Sequence, residues 1–154
     1  MVIRPAKLSD TPKIAATHKA SIEGLCADSY DAQSIAGWVA ILSPGIYESA
    51  IEDKVMIVAE EQGDILGLGI LDIEQATIGA IYIHPKAKGT GCGRKLLLEL
   101  ETIALKNKVT ELTLFSTINA LGFYQHHGYV HIEKAFHKLS NDVKLECVKM
   151  HKVL

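Results

Sequence analysis

Apolar positions fall along this chain in two alternating rhythms, short near-continuous runs and longer stripes at helical spacing. Val2 to Lys7 reads as a first strand, and Ser9 or Asp10 can cap a helix that opens near Pro12. Ile14, Ala15, Thr17, His18, Ser21, Ile22 and Leu25 then trace one apolar to weakly polar face. A second helix is predicted from Asp31 through Ile35, Trp38, Val39 and Leu42, stopped by Pro44-Gly45. Val55 to Glu60 is a buried strand, and Gln62-Gly63-Asp64 turns it into Ile65 to Ile73, where Gly67 and Gly69 point to a bulge or to close packing. Thr77 to Ile83 is the next strand. A helix follows with Leu96, Leu97, Leu100, Ile103 and Ala104 on one side. Glu111 to Phe115 is a strand, Ile118 to His127 a short helix, and Tyr129 to Glu133 and Val143 to Met150 pair as the last strands. The order is βααβββαβαββ.

Composition narrows the class. The 154 residues suffice for one core, so residues 1–154 are expected to form a single domain. A net charge of −2 with both signs interleaved speaks against nucleic acid or a membrane surface as a main partner. Cys26, Cys92 and Cys147 are too scattered for a disulfide framework or a zinc site, and reduced thiols suit a cytoplasmic protein. His126-His127 lacks further ligands at zinc spacing, so no metal is expected. The start, MVIRPAKLSD, has no apolar segment of signal-peptide length, and no stretch is long and apolar enough to span a bilayer.

The chemistry concentrates after the strand that ends Ile81-Tyr82-Ile83-His84-Pro85. Gly89, Gly91 and Gly93 alternate there, and an amphipathic helix begins at once with Arg94 and Lys95 in its first turn. Strand, glycine loop and helix in this order aim free backbone N–H groups and a positive helix end at a phosphate. The loop is not a Walker P-loop, because Leu96 stands where a magnesium-binding hydroxyl is needed. It is not a dinucleotide fingerprint either: its spacing is GxGxG, and Lys108 and Val109 stand where a ribose-binding acid would be. Lys88-Gly89-Thr90-Gly91-Cys92-Gly93 instead fills the pattern [QR]xxGxG, with Lys in place of Gln or Arg. Downstream, Phe123-Tyr124 followed by Gly128-Tyr129 matches the FYxxxGF segment that accompanies such a loop.

Together these segments resemble the GNAT superfamily of N-acetyltransferases, and the order of elements agrees along the whole chain. The resemblance implies an α/β (α+β) fold with a central mixed, twisted sheet of about six to seven strands and helices on both faces. It implies acetyl-CoA as co-substrate, with Lys88, Gly89, Thr90, Gly91, Cys92, Gly93 and Arg94 around the pyrophosphate. Two parallel strands would splay apart to admit the pantetheine arm, which would bond to the backbone of Ile81, Tyr82 and Ile83. The family asparagine aligns with Thr117, and Asn119 lies two residues on. Either can contact pantetheine, while Ser116 or Thr117 can instead cap the following helix. Tyr124 would protonate the departing thiolate, as a phenol protonated at neutral pH can.

The acceptor side is where this chain departs from the pattern. An acceptor ammonium is only about 0.04% neutral at pH 7, so a base or a pKa-lowering site is needed. The positions that usually carry the acid are Thr77 and Gly79. Glu74 is the carboxylate nearest the vacancy, with Asp72, Glu23, His84 and a water chain as alternatives. The resemblance places the acceptor over the first two helices, where Glu23 and Trp38 are candidates for a cationic amine, although Trp38 with Ile35 and Leu42 also suits a core. The expected enzyme transfers acetyl directly to a primary amine of a small molecule or peptide, as a monomer or homodimer. The alternative is a non-catalytic acetyl-CoA-binding or sensor domain.

Overall fold

In the computed structural model, which describes residues 1–154, the elements are β1 (Val2–Pro5), α1 (Thr11–Ser21), α2 (Ala32–Ala40), α3 (Glu48–Asp53), β2 (Val55–Glu61), β3 (Asp64–Asp72), β4 (Thr77–Ile83), α4 (Cys92–Lys106), β5 (Glu111–Thr117), α5 (Leu121–His126), β6 (Val130–Lys138) and β7 (Lys144–Val153). The short helix α3 was not expected. Ala50 is its only buried residue, so it shows no apolar period to read. β6 runs to Lys138 rather than stopping near Glu133. It is an edge strand with nearly every residue exposed, and its pairing to β7 rather than any apolar alternation defines it. The segment expected as one helix from Ile118 divides into a 3₁₀ turn, Ile118–Ala120, and α5.

The seven strands form one sheet of order β1-β2-β3-β4-β5-β7-β6. Every neighbouring pair is antiparallel except β4 with β5. Alternate residues of the central strands face opposite layers. Ile57, Ala59 and Leu71 join Leu96, Leu97 and Leu100 of α4 in one core, whereas Met56, Val58 and Leu68 pack with Ile14 and Tyr47 in another. A third cluster joins Ile22, Cys26 and Trp38 to Leu145 of β7. Each fully buried leucine contributes about 1.5–3 kcal/mol, so the α4 seam is a principal brace of the site that follows it.

Gly67 and Gly69 serve close packing. A Cβ on Gly67 would lie 2.8 Å from Leu96 Cδ1 and 3.1 Å from Cys92 Sγ, and one on Gly69 would lie 3.0 Å from Leu100 Cδ1. The missing side chains let α4 settle on β3, which sets the height of its N-terminus over the sheet. At the other edge, the Arg4 guanidinium grips both oxygens of Asp10 at 2.8 and 2.9 Å and also reaches Glu60. This pair holds β1 to the start of α1 and keeps the Asp10 carboxyl below its usual range. No helix is long and apolar enough to cross a membrane.

Candidate active site

The sheet divides at its one parallel pair. β4 and β5 pair over two steps only, Thr77 with Thr113 and Ile78 with Leu114. Beyond that point β4 stays with β3 up to Ile83, and β5 stays with β7 through Thr117. The split begins at a bulge: Ile70 faces Ala80 and Leu71 faces Ile78, so Gly79 is the extra residue that bends β4 away. The backbone edges that face each other across the gap therefore lack strand partners. Such groups need hydrogen bonds, and an extended ligand carrying amides can supply them by adding to the open edge.

A cavity of about 470 Å³ occupies this gap and continues to the glycine loop. Gly89 and Gly91 have φ of +78° and +85°, a region that residues with a Cβ avoid. Their conformation turns the chain directly into the 15-residue helix α4, with Gly91 as its N-cap. The N–H groups of Gly89, Gly91, Cys92, Gly93 and Arg94 make no backbone hydrogen bond, whereas Lys88 donates to Pro85 and Thr90 to Ala87. Five free amides, the positive end of α4 and the exposed Arg94 converge on one wall of the cavity, a setting suited to a diphosphate. Gly93 packs flat against Phe123, 3.4 Å from its ring to the position of a Cβ, which ties the loop to α5.

Tyr124 reaches the same cavity from α5. Its ring is held edge-on by Phe123 and by Tyr129, with centroids 5.1 and 5.7 Å away. Burial pushes its hydroxyl above the ordinary phenol range, so it stays a donor at neutral pH. Tyr129 is itself anchored, its hydroxyl donating to Glu101 at 3.0 Å while Lys152 holds the same carboxylate oxygen at 3.0 Å. Tyr82 enters from β4, also with its hydroxyl pushed up by burial. Cys26 and Cys92 line the cavity as protonated thiols, each pushed up to about 11 by burial.

Of the residues expected around the cofactor, Ile81, Tyr82, Ile83, Lys88, Gly89, Gly91, Cys92, Gly93, Arg94, Thr117 and Asn119 all line this cavity together with Tyr124. Thr90 does not. It turns to the far side of the loop, where its hydroxyl bonds Ala87 O at 2.5 Å. Neither Ser116 nor Thr117 caps the next helix: Ser116 Oγ donates to Thr117 O, and Thr117 makes no capping bond.

The acceptor-side expectations meet a different structure. Glu74 is exposed in the turn before β4, at the end of that strand opposite Ile81–Ile83, and it does not reach the cavity. Asp72 is occupied in the same turn, accepting from Gln75 N, and lies 3.7 Å from Lys54. His84 accepts from Lys86 N and so serves its own turn. Glu23 points outward to Lys19 at 3.9 Å. Trp38 is core, 4% exposed and edge-on to Tyr30 and Tyr82.

The residues that do close this side are Ser21, Leu25 and Cys26. They belong to the end of α1 and to the single π-helical turn Ile22–Cys26 that extends it. Ser21 and Leu25 belong to the stripe read along α1 at helical spacing, and Glu23, off that stripe, ends up outside. Gly24 lets this turn touch the end of β4, since a Cβ there would lie 2.4 Å from Pro85 Cγ. Tyr30 packs behind this turn with Trp38, donating to Glu146 O at 2.5 Å and accepting from Ile118 N at 3.1 Å. No aspartate or glutamate lines the cavity.

Comparison with known proteins agrees with this geometry. The family model described as an acetyltransferase (GNAT) domain matches residues 26–154. A GCN5-related N-acetyltransferase from Rhodopseudomonas palustris is similar over 99% of this chain and 95% of its own, with 26% identity and a TM-score of 0.89. The PaiA N-acetyltransferase from Thermoplasma acidophilum, in complex with coenzyme A, shares 21% identity over 99% and 98% of the two chains, at a TM-score of 0.81. A ribosomal-protein-alanine N-acetyltransferase from Brucella melitensis shares 21% identity over the whole of both chains, at a TM-score of 0.68. No match is found among curated proteins. The family model spans the split strands, the glycine loop and the Tyr124 segment as one unit, and the chain therefore belongs to the GNAT family of acetyltransferases.

Proposed function

We propose that this protein transfers the acetyl group of acetyl-CoA to a primary amine by direct attack within a ternary complex. The observation that carries the reading is the junction of two features in one cavity: five amides without backbone partners at the head of α4, and Tyr124 in the lining beside the β4–β5 split. The first suits the pyrophosphate of the co-substrate. The open edge of β4 at Ile81–Ile83 suits the amides of its pantetheine arm, and the cavity volume suits a chain of that width. The co-substrate supplies an acyl carbon activated by a thiol leaving group.

The protein's own groups do the rest. Gly89, Gly91 and Gly93 give the diphosphate access to the backbone, and Arg94 adds charge, with Lys88 beside it. Tyr124, a phenol protonated at neutral pH and kept so by burial, donates to the departing sulfur. Ser21, Leu25 and Cys26 form a neutral wall at the acceptor side, which favours an amine that arrives uncharged and excludes water from the thioester.

The test is thiol release from acetyl-CoA across polyamines, amino acids, aminoglycosides and peptide N-termini. Amine-dependent release with saturation in both substrates is the expected result. Saturable acetyl-CoA binding with no turnover on any amine would favour the second reading, a binding or sensor domain. That reading has one specific observation behind it, the lack of a cavity-lining carboxylate.

A further inference from the structure

Tyr124 is placed by side chains from elsewhere in the fold. The helix that carries it, α5, is six residues long, and Tyr124 is its only buried residue. So short a helix has little of its own to hold it in one position. Two neighbours bracket the ring edge-on instead, Phe123 at 5.1 Å and Tyr129 at 5.7 Å between centroids. Both lead to α4. Phe123 lies against Gly93 in the first turn of that helix, and Tyr129 donates its hydroxyl to Glu101, about two turns further on.

Glu101 is a costly residue in this place. A glutamate is seldom buried unless it is paired, and Glu101 is buried on α4 beside Leu97, Leu100 and Ala104. Its Oε1 accepts from the Tyr129 hydroxyl and from Lys152 Nζ, each at 3.0 Å. Lys152, on β7, also lies over the Tyr129 ring, 5.5 Å from its centroid. Its stem passes Gly128, where a Cβ would stand 3.4 Å from Lys152 Cε. Burial and the Glu101 carboxylate hold the Tyr129 hydroxyl protonated, so it stays the donor. α4 already lies on the sheet through its leucines, and apolar replacement of a buried ion pair is often neutral or stabilising. What this pair adds is a fixed direction for one ring. The pattern that the segment matches closes on phenylalanine, and Tyr129 brings the hydroxyl that makes the connection.

We propose that Glu101, with Lys152 and Tyr129, positions Tyr124 for the transfer by fastening its ring to α4, the helix whose head suits the diphosphate. This role rests on the transferase reading above. A co-substrate held at the head of α4 carries its sulfur at the far end of a flexible arm. The acid must meet that sulfur, and a misplacement of about 1 Å can cost about 100-fold in rate. With Tyr129 fastened to Glu101 and Phe123 seated on Gly93, the amide cluster and Tyr124 are both referred to one helix. That helix is braced on the sheet by Leu96, Leu97 and Leu100. The backbone adds a further tie, since Tyr129 N donates to Tyr124 O at 3.0 Å. Glu101, Lys152 and Tyr129 do not line the cavity, so they act through Tyr124, which does.

Two measurements test it. The flip rate of the Tyr124 ring, read by carbon NMR on the free protein, needs no acceptor. It should rise about tenfold in Tyr129→Phe, which loses only a hydroxyl. A flip rate within twofold of wild type would overturn the proposal even if no amine were turned over. With an amine found by the thiol-release panel, Tyr129→Phe and Glu101→Ala should each lower kcat about tenfold, within the range that misplacement sets. Their acetyl-CoA Kd should stay within twofold. Glu101→Gln keeps an oxygen for the Tyr129 hydroxyl and should recover most of the loss seen in Glu101→Ala. In a Tyr124→Phe background neither change should cost anything more, because the group being positioned is gone. A purely structural role would lower Tm without this dependence on Tyr124. Tyr129→Phe serves alone if Glu101→Ala fails to fold. Retention of kcat within twofold in Tyr129→Phe would overturn the assignment, as would a full additional loss in the Tyr124→Phe background. Failure of wild-type turnover on the whole panel would count against the transferase reading, a separate result, and the ring-flip measurement would then decide the placement by itself.

Discussion

The two halves of the site are built from different materials. The donor half uses backbone: the open edge of β4, the amides of the glycine loop and the head of α4, all within the stretch from Ile81 to Arg94. The acceptor half uses side chains drawn from the end of α1 and its π turn, which meet the donor half only in the folded protein. Backbone recognition leaves a short-range signature in glycines and apolar runs. Side-chain recognition leaves none. The donor half should therefore be damaged by changes in chain conformation, and the acceptor half by the loss of single functional groups.

The largest effect expected is on Tyr124→Phe, which removes one hydroxyl and leaves the edge-on packing of the ring. It should reduce kcat about 100-fold, with acetyl-CoA affinity by calorimetry changed less than threefold; an equal loss of binding would make Tyr124 a structural member of the donor half. A pH series on stability examines the buried face of α1 without substrate. The pKa of His18 is pushed from 6.5 to about 4 by burial, so folding favours its neutral form. Its contribution is complete above pH 6.5 and is lost as the pH falls towards 4, because there the unfolded chain binds the proton first. The loss amounts to about 3 kcal/mol at most, and denaturant titrations of His18→Phe should show a flatter acid limb than the wild type.

Gly91→Val places a branched side chain at a φ of +85°. No atom lies within 4 Å of the new Cβ, so the damage is conformational. About 1–2 kcal/mol of strain is expected, together with a roughly tenfold weaker acetyl-CoA Kd as the amides turn away. Arg94→Ala should weaken binding about threefold, with a smaller salt dependence than the wild type. The smallest effect belongs to Glu74→Gln. Its exposed place in the turn before β4 predicts kcat within twofold of wild type, and a tenfold loss would show that the acceptor half extends along the whole of β4.

Much of the fold was legible because its elements carry their own periodicity. The leucines of α4 and the apolar runs of β2 to β5 mark themselves, and so does the order of strands and helices. What escaped was unmarked by pattern. α3 buries a single alanine, and β6 is an exposed edge defined by its partner. Gly67 and Gly69 announced a special backbone, but only the packed helix α4 decided between a bulge and close approach. In the site, the loop residues were readable because Gly89, Gly91 and Gly93 are needed in that order for an anion to approach the chain. The stripe read along α1 already included Ser21 and Leu25, which do line the cavity, whereas Glu23, a candidate only through the resemblance, lies off that face beside Lys19.

By itself the sequence marked the glycine loop and the tyrosine that line one cavity, since both depend on neighbours within a few residues. The tertiary structure alone decided where β4 and β5 part, because that rests on the bulge at Gly79 and on the pairing of each strand with a different neighbour. It also decided that Trp38 belongs to the core and that His18, Tyr47 and Tyr82 form one cluster. Those three residues lie far apart along the chain, and nothing short of burial against one another gives an imidazole a nitrogen with no partner.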